Sequence, residues 1–130
     1  MIVVDASVLA PALIDDNGLG DRLRARLVDE GLAAPQLIDL EVVTVCRRRS
    51  RAGRLSAGRA DAALSDLAAL PLERAPHGPL MRRIWDLRHK LSAYDASYVA
   101  LAESLDTILL TGDERLAHAS GIRCEVELLA

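Results

Sequence analysis

Short, continuous apolar runs alternate along the chain with longer segments in which apolar residues recur at helical spacing. The runs at 2–4 and 108–110 lack apolar–polar alternation, which is typical of strands buried on both faces of a parallel sheet. The pattern predicts one α/β domain over residues 1–130, with helices on both sides of a central, mostly parallel sheet of four to five strands. Strands are predicted at 2–4, 33–35 (a short strand or a crossing segment), 72–75, 107–111 and 123–127, and helices at 6–14, 19–30, 37–51, 56–70, 79–88, 92–105 and 114–119.

Each of the two most apolar runs leads into an aspartate near one end of the chain. Asp5 follows the first run directly, and Asp113 follows the second run after Thr111 and Gly112. Each aspartate has a simple structural explanation as the N-cap of the next helix, because Asp is favoured there. In parallel sheets, however, ligands bind outside the carboxyl ends of the strands. Two carboxylates at one sheet edge favour a functional role over two independent caps.

Two further acids adjoin apolar positions on predicted helices. Asp95 belongs to a capping-box pattern that begins at Ser92, but its i+4 neighbour Val99 is apolar, so its helix face is predicted to be buried. Glu41 has no basic residue three or four positions away, so no ion pair within its own helix can hold it. Spacing alone does not separate Glu41 from Asp39, whose neighbours are also apolar.

Acids from four segments (Asp5, Glu41, Asp95 and Asp113) are therefore candidates to meet at one edge of the sheet. Closely packed like charges raise one another's pKa values and titrate together. A divalent cation removes that conflict, and an all-oxygen ligand set suits Mg²⁺ or Mn²⁺. Such a centre can activate water for attack at phosphorus.

Composition limits how the chain can bind a polyanion. The net charge is −3 and the pI is about 5.6, whereas most nucleic-acid binders carry a strong positive surplus. Any contact with RNA then depends on a local basic patch, and the densest one includes Arg47, Arg48 and Arg51. The alternative is a solvated helix end, where cations are favoured. Aromatic residues make up only 2% of the chain, and all fit helix-core positions better than a base-stacking surface (Trp85, Tyr94 and Tyr98).

Cysteine usage and the N-terminal pattern indicate a cytoplasmic protein. Cys46 and Cys124 lie far apart in apolar surroundings without metal-ligand spacing, so they are predicted to be buried free thiols. The N-terminus has no basic segment, and Asp5 interrupts its apolar run, so it is a poor signal peptide. No apolar run approaches the roughly 18 residues of a membrane span.

Four segments, in order along the chain, resemble the signature blocks of PIN-domain ribonucleases, and most closely the VapC toxins of toxin–antitoxin pairs. They are IVVDAS, LIDLEVVTVCRRR, SAYDASYVALAE and LLTGDERLA. The resemblance implies a PIN-like three-layer α/β/α fold and Mg²⁺- or Mn²⁺-dependent cleavage of RNA. It also implies that Glu41 rather than Asp39 is the acid of the second block.

The same resemblance implies roles for individual residues. Asp5 and Asp95 are expected to bind the metal directly, and Glu41 and Asp113 to complete the site through waters. Ser7 and Thr111 match small polar positions beside the acids, although a helix start and a strand end explain them equally well.

Partners are also implied by the resemblance. We expect an RNA substrate, a homodimer, and a VapB-like antitoxin with an arginine that enters the acid cluster. Arg47, Arg48 and Arg51 are the candidate contacts for RNA or antitoxin. Exposed leucines on the first two helices are the expected dimer surface.

Three other functions remain open at the level of sequence. A PIN-fold protein that binds RNA or a partner without cutting is the main alternative. Metal-free cleavage needs paired imidazoles, but His77, His89 and His118 stand in unrelated contexts. A phosphatase with an aspartate nucleophile usually needs an acid two residues after the first, where this chain has Ser7.

Overall fold

A single parallel sheet forms the centre of the computed structural model, which describes residues 1–129; Ala130 lies outside this range. The strand order is β3-β2-β1-β4-β5, and every neighbouring pair is parallel. The predicted sheet is thus confirmed, with five strands. They are β1 (Ile2–Val4), β2 (Leu32–Pro35), β3 (Leu72–Ala75), β4 (Leu109–Thr111) and β5 (Val126–Leu128).

The described helices follow the predicted series with two notable differences. The second helix ends at Leu27 rather than residue 30, because Val28 is extended with a ψ of 139° and Asp29 has a φ of 62°, neither of which a right-handed helix accommodates. The helix predicted at 79–88 is a 3₁₀ turn at Gly78–Leu80 followed by a short α-helix. The α-helices are α1 (Ala6–Ile14), α2 (Gly18–Leu27), α3 (Ile38–Arg51), α4 (Ala57–Ala69), α5 (Met81–Asp86), α6 (Ala93–Ser104) and α7 (Glu114–Ala117).

Helices cover both faces of the sheet, in three layers. Parallel strands are joined by right-handed crossovers, so reversing the direction of strand addition moves the connecting helix to the other face. The chain adds β2 and β3 on one side of β1 and then returns to add β4 on the other. Accordingly, α1 packs against α2, α3 and α4, whereas α6 packs on β1, β2 and β4 and holds α5.

The core is aliphatic, and it positions the loops after β1 and β4 side by side. Val3, Val4, Leu109 and Leu110 are fully buried, which explains why these strands lack polar alternation. β1 and β4 are neighbours at the point where the order of the strands reverses, and ligands bind beyond the strand ends at such a switch point. No helix within residues 1–129 has the length and apolar character needed to cross a membrane.

Candidate active site

Asp5 lies at this switch point, between β1 and α1, and is only 6% exposed. It occupies the N-cap position of α1, but its side chain makes no capping hydrogen bond. Instead, Oδ1 accepts a hydrogen bond from the Ser7 hydroxyl (2.5 Å) and Oδ2 accepts one from the Thr111 hydroxyl (2.6 Å). Asp5 is therefore the N-cap of α1 by position but not by a side-chain hydrogen bond, and both small polar residues contact this acid.

Backbone amides orient the two hydroxyl groups towards Asp5. The N–H of Gly112 donates to Ser7 Oγ (2.7 Å), and the N–H of Asp113 donates to Thr111 Oγ1 (3.0 Å). Each hydroxyl oxygen accepts from the backbone, so its single proton is free to point at the carboxylate. This close approach suits glycine, because a Cβ at Gly112 would come within 3.3 Å of Ser7 Oγ.

Burial makes the negative charge of Asp5 expensive despite these donors. Removal from water raises the pKa of Asp5 to about 6, and the hydrogen bonds from Ser7 and Thr111 oppose that rise. No cationic side chain within residues 1–129 pairs with Asp5. A buried carboxylate without a cationic partner is suited to an ion from solution.

Glu41 lies on the first turn of α3 and binds a buried tyrosine of α6. The hydroxyl of Tyr98, which is 2% exposed, donates to Glu41 Oε1 (2.5 Å). Burial raises the pKa of Glu41, the Tyr98 hydrogen bond opposes the rise, and the charge of Asp95 adds to it. Burial and the nearby Glu41 also raise the pKa of Tyr98, which therefore stays protonated as a donor.

Asp39, the alternative to Glu41, belongs to a different environment. The Arg74 guanidinium of β3 binds it at two points, with Nε 2.7 Å from Oδ2 and Nη2 2.9 Å from Oδ1. This two-point ion pair compensates its charge. The structure thus separates the two acids that spacing leaves equivalent, and it places Glu41 in the acid cluster.

Asp95 and Asp113 share one arginine. Asp95 lies in the first turn of α6, where its N–H donates to Ser92 Oγ (3.1 Å), as the capping pattern predicts. Asp113 caps α7 by accepting from the Arg115 N–H (2.9 Å), so the capping explanation is correct for this residue. The Arg115 Nη2 lies 3.3 Å from Asp95 Oδ2 and 3.4 Å from Asp113 Oδ2. Burial raises the pKa of Asp95, Arg115 lowers it, and Asp113 raises it.

The predicted acids thus come together as linked neighbours rather than as one tight cage. Asp5, Glu41 and Asp95 all act electrostatically on the Tyr98 hydroxyl, and Asp95 in turn interacts with Asp113. Nowhere in residues 1–129 do three acidic, histidine or cysteine side chains lie close enough to hold one metal ion. The donor set is nonetheless all oxygen, which fits Mg²⁺ or Mn²⁺, and Mg²⁺ usually keeps several waters in place of protein ligands.

The arginines at the C-terminal end of α3 include one that forms an ion pair within residues 1–129 and several that do not. Arg49 forms an ion pair with Asp15, whereas Arg47, Arg48 and Arg51 are exposed and make no ion pair within the described range. Arg48 lines a groove of about 510 Å³ together with residues of the acid site, Ser7 and Glu41 among them. Of the three candidate contacts, only Arg48 lines this groove.

Two expectations about apolar residues are wrong. Trp85 and Tyr94 are 60% and 66% exposed, because neither the outer face of the short α5 nor the first turn of α6 is covered; only Tyr98 is a core aromatic. None of the leucines on α1 and α2 is exposed, because these helices pack against each other. Of the two thiols, Cys46 is buried and Cys124 is partly buried, and both are free.

Comparison with known proteins supplies the family. The sequence matches the family described as PIN domain over residues 2–122. It is 44% identical to ribonuclease VapC1 of Mycobacterium tuberculosis over 128 residues, which cover 98% of this chain and 96% of the relative. The chain belongs to the VapC family of PIN-domain ribonucleases.

Two further comparisons agree with this membership. The VapC ribonuclease Mb0985 of Mycobacterium bovis is 40% identical over 129 residues, covering 99% of this VapC-family chain and 98% of the relative. The crystal structure of VapC20 of M. tuberculosis, a sarcin-ricin loop cleaving toxin, superposes with a TM-score of 0.71 over 95% of this chain and 97% of the other. Its 17% sequence identity supports the fold alone.

Two residues at the site are not identified from the sequence. The sequence gives a weak indication of the role of Tyr98. This residue lies three positions after Asp95 on a buried helix face, where its hydroxyl needs a hydrogen-bond partner. The sequence gives no such indication for Arg115, because an arginine two residues after a capping aspartate is ordinary at a helix start. The histidines are apart, and His77 Nε2 accepts from the Leu37 N–H at the start of α3 (3.2 Å).

Proposed function

We propose that this chain is the toxin of a toxin–antitoxin pair, an endoribonuclease that hydrolyses RNA phosphodiester bonds with Mg²⁺ or Mn²⁺. The observation that carries the proposal is Asp5, a buried carboxylate at the switch point that accepts from two oriented hydroxyls and has no cationic partner. Similarity to VapC ribonucleases over nearly the whole chain supports the same reaction.

Each acid has a distinct part in this proposal. Asp5 and Asp95 hold the metal directly, and Glu41 and Asp113 complete its surroundings through waters. A divalent ion held by these residues would supply an acidified water for in-line attack and charge compensation for the phosphate oxygens. Ser7 and Thr111 fix the carboxylate of Asp5, as their hydrogen bonds to it indicate.

Basic residues beside the site then hold the polyanion. Arg48 lines the groove next to Glu41 and contacts the RNA backbone, and the exposed Arg47 and Arg51 extend the patch along α3. The same patch accepts a VapB-like antitoxin, whose arginine pairs with the site carboxylates and blocks the metal.

The chain also forms a homodimer in this proposal, through an exposed apolar face on α5 and α6. Met81 and Tyr94 line one groove, and Met81 and Trp85 line the next, so the face is continuous. Aromatic residues and methionine are enriched at protein interfaces. Sedimentation of Trp85→Arg should give a monomer, whereas the control Val28→Arg, exposed on another surface, should remain dimeric. A wild-type protein that sediments as a monomer would contradict this part.

The decisive experiment is RNA cleavage by the purified protein. Structured RNA is incubated with Mg²⁺ or Mn²⁺, with EDTA, and with the variants Asp5→Asn and Asp66→Asn. Asp66 is an exposed acid of α4 without an ion pair in the described range, so its variant controls for loss of one charge. We expect cleavage by wild type and Asp66→Asn only when metal is present, and none by Asp5→Asn.

Two results would contradict the proposal. Cleavage that survives EDTA or Asp5→Asn excludes the metal mechanism. RNA that is bound but never cut, measured by filter binding of the same samples, supports the alternative of a PIN-fold binding protein.

A further inference from the structure

Arg115 is the one cation that pairs with the four site acids within residues 1–129. Its Nη2 lies within 3.3 Å of Asp95 Oδ2 and 3.4 Å of Asp113 Oδ2, so one nitrogen bridges two carboxylates. Neither Asp5 nor Glu41 has such a partner. The guanidinium therefore contacts Asp95, which the proposed function makes a direct metal ligand, and Asp113, which it places around the metal through waters.

The fold does not depend on this guanidinium. Asp113 is already held by the backbone N–H groups of Arg115 and Leu116, and the N–H of Asp95 is capped by Ser92. The Arg115 side chain is 81% exposed. Exposed ion pairs are weak, so little free energy opposes its release from the carboxylates.

A dication held by Asp95 would compete with this guanidinium for the Asp95 carboxylate and would lie close to its positive charge. Two acids that face each other repel, and Arg115 relieves that repulsion when no metal is bound. A doubly charged ion relieves it more strongly, but it must first displace the arginine or bind beside its positive charge. Either way, the charge of Arg115 opposes metal binding.

We propose that Arg115 is an internal counter-ion of Asp95 and Asp113 that the divalent metal displaces, and that it weakens the affinity of the site for metal. The inference rests on the proposed function, because it takes these acids as the metal site. In this inference an arginine of the chain itself pairs with the site carboxylates, as the antitoxin arginine is expected to do.

Mn²⁺ binding by isothermal titration calorimetry, without RNA, tests the idea. Removal of the charge in Arg115→Gln should tighten the Mn²⁺ dissociation constant by roughly threefold to tenfold at low salt, and the gain should shrink as salt screens the interaction. Arg115→Lys keeps the charge and should stay close to wild type. Arg22→Gln, a matched loss of charge on the exposed surface of α2, should leave the affinity unchanged.

The possible results separate this inference from the function on which it rests. Unchanged or weaker Mn²⁺ affinity in Arg115→Gln, with RNA cleavage still metal-dependent, overturns the inference alone. Absence of Mn²⁺ binding and of cleavage in the wild type overturns the proposed function, and the inference with it. Equal tightening in Arg115→Gln and Arg22→Gln also overturns the inference, because the effect is then one of net charge.

Discussion

The pH dependence of stability distinguishes a buried site acid from a helix cap at Asp5. The pKa of Asp5 is about 6 in the folded protein, against an ordinary value of 3.8, because burial outweighs the hydroxyl donors. Between these pH values the folded state holds a proton that the unfolded chain has lost. The free energy of unfolding must therefore fall as the pH rises from about 4 to 7.

The size of the effect follows from the difference in pKa. At about 1.4 kcal/mol per pKa unit, a rise from 3.8 to about 6 corresponds to about 3 kcal/mol of lost stability at neutral pH. Burial also raises the pKa values of Glu41 and Asp95, so they add to the fall in the wild type. The contribution of Asp5 is the difference between wild type and Asp5→Asn in how far the unfolding free energy falls with pH.

Urea unfolding in EDTA at several pH values from 4 to 8 measures this difference. The unfolding free energy of Asp5→Asn should fall less steeply than that of the wild type, whereas Asp66→Asn should follow the wild type. Adding Mg²⁺ at pH 7.5 should restore stability to the wild type, because a ligand that binds only the folded state stabilises it.

Parallel curves for wild type and Asp5→Asn would refute the reasoning. The reasoning would be refuted more strongly if the unfolding free energy of the wild type rose between pH 4 and 7 relative to that of Asp5→Asn. That result is the signature of an acid with a lowered pKa, as expected of a carboxylate that caps a helix.

Three further predictions concern the neighbours of the site. Tyr98→Phe removes the hydrogen bond to Glu41 and should weaken Mn²⁺ binding severalfold in calorimetry, while the far-ultraviolet circular dichroism stays unchanged. An unchanged Mn²⁺ affinity would show that the Tyr98 hydroxyl has no part in the site. Glu41→Gln should reduce the Mg²⁺-dependent rise in melting temperature, whereas Asp39→Asn should keep that rise and lower the melting temperature itself, because it breaks the ion pair with Arg74 of β3. The opposite pattern would assign the site to Asp39. Gly112→Ala crowds the Ser7 hydroxyl and should reduce the rate of RNA cleavage by about tenfold, which corresponds to roughly 1.4 kcal/mol in the activation free energy. Full cleavage activity of this variant would show that the loop adjusts to the added methyl group.

The sequence predicts the sheet well because its inner strands are buried on both faces. Burial on both sides demands continuous apolar residues, and β1 and β4 show them without interruption. β5 is predicted at 123–127 but lies at Val126–Leu128, because this edge strand is only partly buried and its pattern is mixed. The edge of the sheet that carries both Asp5 and Asp113 follows from the ends of β1 and β4 alone.

Side-chain partners distant in sequence account for what the pattern does not predict. Asp5 and Asp113 have the same local pattern and both occupy N-cap positions. Only the Asp113 side chain makes a capping hydrogen bond, because the hydroxyls of Ser7 and Thr111 bind the Asp5 side chain instead. Asp39 differs from Glu41 only through Arg74, which lies in another strand. Spacing along one helix carries no information about such contacts.

The way this chain pairs its other acids shows what is unusual about the site. Glu127 is bound by an arginine that lowers its pKa. At Glu103 burial raises the pKa, but Arg83 and Arg123 together outweigh it and the pKa is lowered. Arginine is abundant in the sequence, yet neither Asp5 nor Glu41 has one, and burial raises the pKa of both. A fold that compensates its structural acids internally but leaves these two to hydroxyl groups retains uncompensated negative charge at the switch point. Hydroxyl donors orient a carboxylate without neutralising it, and this uncompensated charge is the feature that supports the divalent cation we propose for the site.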